Sequence, residues 1–208
     1  QVQVNPIIKF TFAAALRAML RQAPNIIMVG EIRDLETAEV AVNASLTGHL
    51  VFSTLHTNDA PGAVTRLIDM GVKPFLVASS VKAIMAQRLV RRNCKNCLAP
   101  YEPNSEELQQ MELTADFVKS STLMKGRGCK ECGGSGYRGR VGIYEIFMLN
   151  EEIQNLIYKK VSSSVIREAA RKLGMRTLRE DGLRKAAAGT TTLAEVLANT
   201  VIDEASDH

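Results

Sequence analysis

Two groups of residues have the types and spacing to do chemistry. In the first, Glu31 follows the apolar run Ile26-Ile27-Met28-Val29 and Gly30, while Thr54 and His56 follow a second run, Leu50-Val51-Phe52. An apolar strand ending in an acidic residue is the form of a Walker B element, whose carboxylate holds the magnesium shell or activates water in phosphoryl transfer. Apolar strands ending in Glu are common, so the pattern gains weight from the polar tip of the second run. In the second group, Cys94-Lys95-Asn96-Cys97 and Cys129-Lys130-Glu131-Cys132 are two C-x-x-C pairs that account for every cysteine. Each pair can present two thiolates from one tight knuckle, and two pairs complete a tetrahedral sulfur site for zinc.

The first group is useful only if its two runs lie side by side. Ala23-Pro24 breaks any helix before Ile26, and a short apolar run closed by Gly30 reads as a strand buried on both faces. The interval from Asp34 to Gly48 reads as a helix. Glu36 and Glu39 lie near its start, Leu35, Ala38, Val42, Ser45 and Leu46 share one face, and Gly48 is placed as its C-terminal cap. Strand, helix, strand with this connection is a βαβ crossover, whose strands run parallel. Parallel strands put their carboxyl ends at one edge, where ligands of open sheets bind. Glu31, Thr54 and His56 are therefore expected to converge there, with His49 at the opposite end of its strand.

The remaining elements follow from periodicity and caps. Gln1 to Val4 alternates polar and apolar like a strand, and Thr11 to Gln22 reads as a helix with Phe12, Leu16, Met19 and Leu20 on one face. Asn58 or Asp59 can cap a helix with Pro61 in its first turn, ending at Gly71. A second helix is expected from near Pro74, carrying Leu76, Val77, Val81, Ile84, Met85 and Leu89, which would put Arg88, Arg91 and Arg92 at its C-terminus. Val141 to Leu149 returns to strand-like sequence. Short helices then follow, with Asn150 before Glu151, Ser164 leading a helix to Gly174, and capping-box patterns at Thr177–Glu180 and Thr192–Glu195.

The cysteines have two other readings, paired disulfides or free thiols. The 31 residues between the C-x-x-C pairs exceed the usual ribbon spacing of about 15–20, so the loop must carry an insertion; Ser105-Glu106-Glu107-Leu108 has the form of a short helix within it. Cys129 to Gly136 also fits the repeat of a chaperone zinc domain, C-x-x-C-x-G-x-G, but Cys94-Cys97 lacks the glycines and the repeat is not multiplied.

Composition sets the outer bounds. The chain has 208 residues, 46% of them hydrophobic, enough for one substantial core and a small second unit. No apolar run approaches the ~20 residues of a membrane span, and nothing resembles a signal peptide, so the sequence reads as a soluble cytoplasmic protein, in which disulfides are disfavoured. It begins at Gln1, without an initiator Met, as a piece cut from a longer protein would. The net charge of +4 fits an ordinary solvated surface. The cluster Arg88, Arg91, Arg92 and Lys95 offers a nucleic-acid or anionic-lipid surface instead, but aromatics are only 5% and Trp is absent, leaving few stacking platforms for bases.

Gly30-Glu31-Ile32-Arg33-Asp34-Leu35-Glu36-Thr37-Ala38, followed by Thr47-Gly48-His49-Leu50-Val51-Phe52-Ser53-Thr54-Leu55-His56-Thr57-Asn58, closely resembles the Walker B and His boxes of the secretion ATPase superfamily. These are the hexameric motors of type II secretion and type IV pilus assembly. Gln87-Arg88-Leu89 and the tetracysteine insertion followed by Gly136-Tyr137-Arg138-Gly139-Arg140 resemble its assembly and secretion branches. The resemblance implies an α/β fold: a partial RecA-like P-loop NTPase core with a parallel sheet over 1–93, a tetracysteine zinc subdomain over 94–132, and a final strand with a C-terminal helical subdomain over 133–208.

It further implies that Glu31 is the Walker B carboxylate, that His56 senses the γ-phosphate with Thr54 beside it, and that His49 positions its strand or meets another subunit. Arg33 and Asp34 take supporting or capping roles around the nucleotide, and Cys94, Cys97, Cys129 and Cys132 hold structural Zn2+. ATP and Mg2+ would be bound by the full-length motor, a homo-hexamer working with inner-membrane secretion or pilus platform proteins, without nucleic acid or a membrane span of its own. No G-x-x-x-x-G-K-[ST] occurs in the sequence, so this chain alone is expected neither to bind ATP tightly nor to hydrolyse it. Two rivals are a non-catalytic zinc-stapled interaction module and a nucleic-acid motor of related fold.

Overall fold

The Thr11 hydroxyl accepts the Ala14 N–H at 3.2 Å and so starts the first helix. The computed structural model describes residues 1–200. In chain order its main elements are α1 (Phe12–Met19), β1 (Ile26–Val29), α2 (Leu35–Leu46), β2 (Leu50–Ser53), α3 (Ala60–Asp69), α4 (Pro74–Ser80), β3 (Ala83–Asn93), β4 (Leu98–Pro100), α5 (Ser105–Gln110), α6 (Ala115–Lys119), β5 (Met124–Gly126), β6 (Tyr137–Met148), α7 (Glu151–Tyr158), α8 (Ser163–Lys172), α9 (Leu178–Ala187) and α10 (Leu193–Asn199). They form two units, each discontinuous in sequence. One is Gln1–Ile84 with Phe147–Met175; the other is Met85–Ile146 with the described residues from Arg176 onward.

In the first unit β1 and β2 pair in parallel, Ile26 opposite Leu50 and Val29 opposite Ser53. The crossover helix α2 is fixed at its start by Asp34, which accepts the Thr37 N–H at 2.8 Å and its hydroxyl at 3.1 Å. Past its end, Gly48 takes φ +100°, which glycine adopts without strain. The face of α2 that packs is built from small residues, Thr37, Ala38, Ala41, Val42 and Ala44. Leu35 and Leu46, expected on the packed face, are exposed, because Ala-lined positions let α1 and α4 approach α2 closely. Asp59 caps α3 by accepting the Gly62 N–H at 2.7 Å, and α8 packs against α3.

Two further expectations fail in this unit. β1 is buried on one face only. Ile27 and Val29 are inside, whereas Ile26 and Met28 are 63% and 75% exposed, because the unit's helices cover a single face of a two-stranded sheet. Gln1–Val4 is not a strand; Asn5 and Phe10 form an isolated bridge around the turn Pro6–Ile8, leaving the preceding residues no ladder partner among the described elements.

In the second unit β3 pairs with β6, and β4 pairs antiparallel with β5, Leu98 opposite Gly126. The helix from Pro74 therefore stops at Ser80, and Arg88, Arg91 and Arg92 stand on a strand instead of at a helix C-terminus. The apolar spacing over 74–89 fits a helix, but pairing with β6 decides the conformation, as tertiary context does for strands generally. Val90, Ile143 and Leu178 form one core cluster; Met111, Leu123, Ala186, Leu193 and Val196 form another, with α5, α9 and α10 around it. Thr177 and Glu180 complete a capping box. Thr192 caps α10, but Glu195 does not return the bond: its carboxylate accepts the Arg91 N–H at 2.8 Å and the Arg91 guanidinium at 2.8 and 2.5 Å.

Candidate functional site

The carboxyl ends of β1 and β2 are locked together by backbone before any side chain acts. The Ile32 N–H donates to the Thr54 carbonyl at 3.0 Å, and the Thr54 hydroxyl donates to the Gly30 carbonyl at 2.7 Å. Glu31 lies between these bonds. Its Oε2 accepts both Arg33 Nε at 2.6 Å and His56 Nε2 at 3.1 Å. Its Oε1 has no partner among the described residues. An ionised carboxylate can only accept, so the contact puts the His56 proton on Nε2. The Arg33 hydrogen bond, and after it that of His56, holds the Glu31 carboxyl below the ordinary carboxylate value.

The arrangement is a carboxylate with one oxygen committed and one open, beside an imidazole that is 79% exposed. That geometry can orient a water at Oε1 or accept a proton from it. Thr54 holds the strand ends in place. His49 stands at the other end of β2, with Nδ1 2.9 Å from the Ala44 carbonyl and 3.3 Å from the Thr47 hydroxyl, and so fastens the α2–β2 turn.

One contact near this site carries no signal in the sequence. Asp59, three residues after His56, turns its second carboxylate oxygen to Arg167 on α8, 108 residues along the chain. Only the packing of α8 on α3 brings the two together, and no spacing rule could have found them.

The four cysteine sulfurs lie within 4.8 Å of one another, in the second unit. Cys94 to Cys129 is 3.9 Å, Cys97 to Cys132 is 3.9 Å, and Cys129 to Cys132 is 3.7 Å. These separations exclude disulfide bonds. They match the edge of about 3.8 Å that a tetrahedron with ~2.3 Å metal–sulfur bonds requires. Backbone N–H groups already point at the sulfurs. Those of Cys129 and Gly136 reach Cys132 at 3.1 and 3.3 Å, and that of Gly128 reaches Cys97 at 3.3 Å. The Cys129 N–H, the largest influence, helps bring the Cys132 thiol down to about 6, whereas burial pushes Cys97 up to about 11. Four soft donors in a closed shell fit a structural metal.

Comparison with known proteins places these sites in context. The profile of the family described as Type II/IV secretion system protein matches residues 1–198. "Type IV pilus assembly ATPase PilB" of Thermus thermophilus is 53% identical over 201 residues, covering 97% of this chain and 23% of its own length. "Type II secretion system protein HxcR" of Pseudomonas aeruginosa is 53% identical over 197 residues, covering 95% and 38% respectively. The crystal structure of the pilus retraction motor PilT with bound ADP is similar at a TM-score of 0.64 and 27% identity, over 93% of this chain and 45% of that one. The chain thus spans less than half the length of each of these relatives.

Proposed function

The chain belongs to the Type II/IV secretion system protein family, and on that premise we propose that it is the later part of a hexameric, magnesium-dependent ATPase driving type II pseudopilus assembly. In this proposal β1 and β2 are part of a RecA-like P-loop core. The observation that carries it is the Glu31–His56 contact at the paired strand ends, with Oε1 of Glu31 open. Glu31 orients the attacking water and accepts its proton as the new O–P bond forms. His56, largely exposed and held at Oε2 of the same carboxylate, meets the γ-phosphate and ties nucleotide state to Glu31. Arg33 keeps Glu31 ionised, Thr54 fixes the strand ends, and His49 sets β2. Magnesium, when bound with the nucleotide, offsets phosphate charge.

The four cysteines hold Zn2+ as a staple of the long excursion between β3 and β6. The sequence carries no P-loop, so tight ATP binding and turnover belong to a longer chain. That chain works at the cytoplasmic side of the inner membrane, with platform proteins of the secretion system as partners. Type IV pilus assembly is the second reading, since a relative named for it is as similar as one named for type II secretion.

Genetic complementation tests the proposal. A strain lacking the gene, restored with the Glu31→Gln form, should assemble neither pseudopili nor pili while the protein accumulates normally. Assembly at the wild-type level would instead support a zinc-stapled interaction module without catalysis.

A further inference from the structure

The loop from Thr54 to Asp59 carries His56 and is pinned at both ends. At Thr54 the pins are the backbone bond from Ile32 and the hydroxyl bond to Gly30. At Asp59 one carboxylate oxygen caps α3 through the Gly62 N–H, and the Thr57 hydroxyl donates to the Asp59 carbonyl at 2.9 Å. The other carboxylate oxygen is held by Arg167 of α8, and both side chains are mostly buried, Asp59 at 24% and Arg167 at 32% exposure. His56 stands between these anchors, its ring hydrogen-bonded to Glu31. The N-cap alone would fix the start of α3. The ion pair adds a second restraint that no helix start needs, and it joins the His56 loop to a helix from the far end of the unit.

We propose that Arg167 is a positioning residue for His56, acting through Asp59, so that the seating of α8 on α3 sets whether His56 reaches Glu31. The inference rests on the ATPase assignment for its effect on turnover, but its geometric part stands without it. Arg167→Met keeps the aliphatic stem and removes the charge. Asp59→Asn keeps the N-cap, for which Asn serves as well as Asp, and weakens the ion pair alone. Arg167→Lys keeps the charge.

Two measurements test this. In the present chain, the ring Nε2–H resonance of His56, assigned by its loss in His56→Gln, reports the Glu31 contact. In the naturally encoded longer chain, steady-state turnover reports the consequence. Arg167→Met and Asp59→Asn should each move the resonance toward its position in Glu31→Gln. Each should lower kcat about tenfold with KM for ATP within about twofold, because a misplaced group costs rate more than binding. Arg167→Lys should recover most of both, and the double variant should be no worse than either single one. Melting curves confirm that each variant folds; should Arg167→Met not fold, Asp59→Asn carries the test.

Wild-type kcat in Asp59→Asn, alongside an inactive Glu31→Gln, would overturn the inference and leave the ATPase assignment standing. So would a fall in kcat with an unmoved His56 resonance. An active Glu31→Gln would instead remove the ATPase assignment, and the effect on turnover with it.

Discussion

The two oxygens of Glu31 stand in different surroundings. Arg33 and His56 share Oε2, which favours the ionised carboxylate, and Oε1 has no partner among the described residues. The sequence made Glu31, Thr54 and His56 legible, because each follows an apolar run whose strand direction fixes the edge it reaches. It could not show that Arg33 turns back onto Glu31, since two residues in a loop have no periodicity to read. The cysteines were legible for another reason: a C-x-x-C spacing closes a knuckle locally, and only the meeting of the two knuckles needed the structure. Their role has a direct test. Cys97→Ser removes one of four thiolates from a closed shell, so the purified variant should lose most of its bound zinc by elemental analysis. Amide exchange in β4 and β5 should rise in the variant while exchange in β1 and β2 is unchanged. Full zinc content in Cys97→Ser would contradict a four-sulfur site.

Elements were legible where caps and glycines mark their ends, as Asp34 and Gly48 do for α2 and Asp59 does for α3. β3 was not, because Val81, Ile84, Met85 and Leu89 continue the helical spacing of α4, and only β6, some fifty residues later, supplies the ladder that makes a strand. The same strand carries the contact that seats α10. Burial pushes the Glu195 carboxyl up, but the hydrogen bonds from the Arg91 side chain and backbone outweigh it and hold the group below its ordinary value. A carboxyl lowered in the folded state stabilises above its unfolded value and loses that stabilisation as pH falls through the folded one. Glu195→Gln should therefore cost about 2 kcal/mol at pH 7, the scale of hydrogen bonds to a charged group. The gap between variant and wild type in urea unfolding should close as pH drops below about 4.5. A gap independent of pH from 7 to 3 would assign the loss to packing instead.

At the scale of the molecule, both units carry part of the proposed motor: one holds Glu31, His56 and the α8 anchor, the other holds the tetracysteine cluster. The strand face bearing Ile26, Met28, Leu50 and Phe52 is apolar and exposed, with Ile26 beside Leu50 and Met28 beside Phe52 across the ladder. No single-strand pattern could show this, because an uninterrupted apolar run looks the same whether one face is covered or two. The Glu31 site is proposed to serve ATP hydrolysis. This role is tested by measuring turnover of zinc-loaded, hexameric longer chain against its Glu31→Gln variant at saturating magnesium and ATP. A fall of about a hundredfold or more is expected in Glu31→Gln, the scale of losing a positioned general base, with zinc content and assembly unchanged. Equal turnover in the two proteins, or none in the wild type when hexameric, would contradict it.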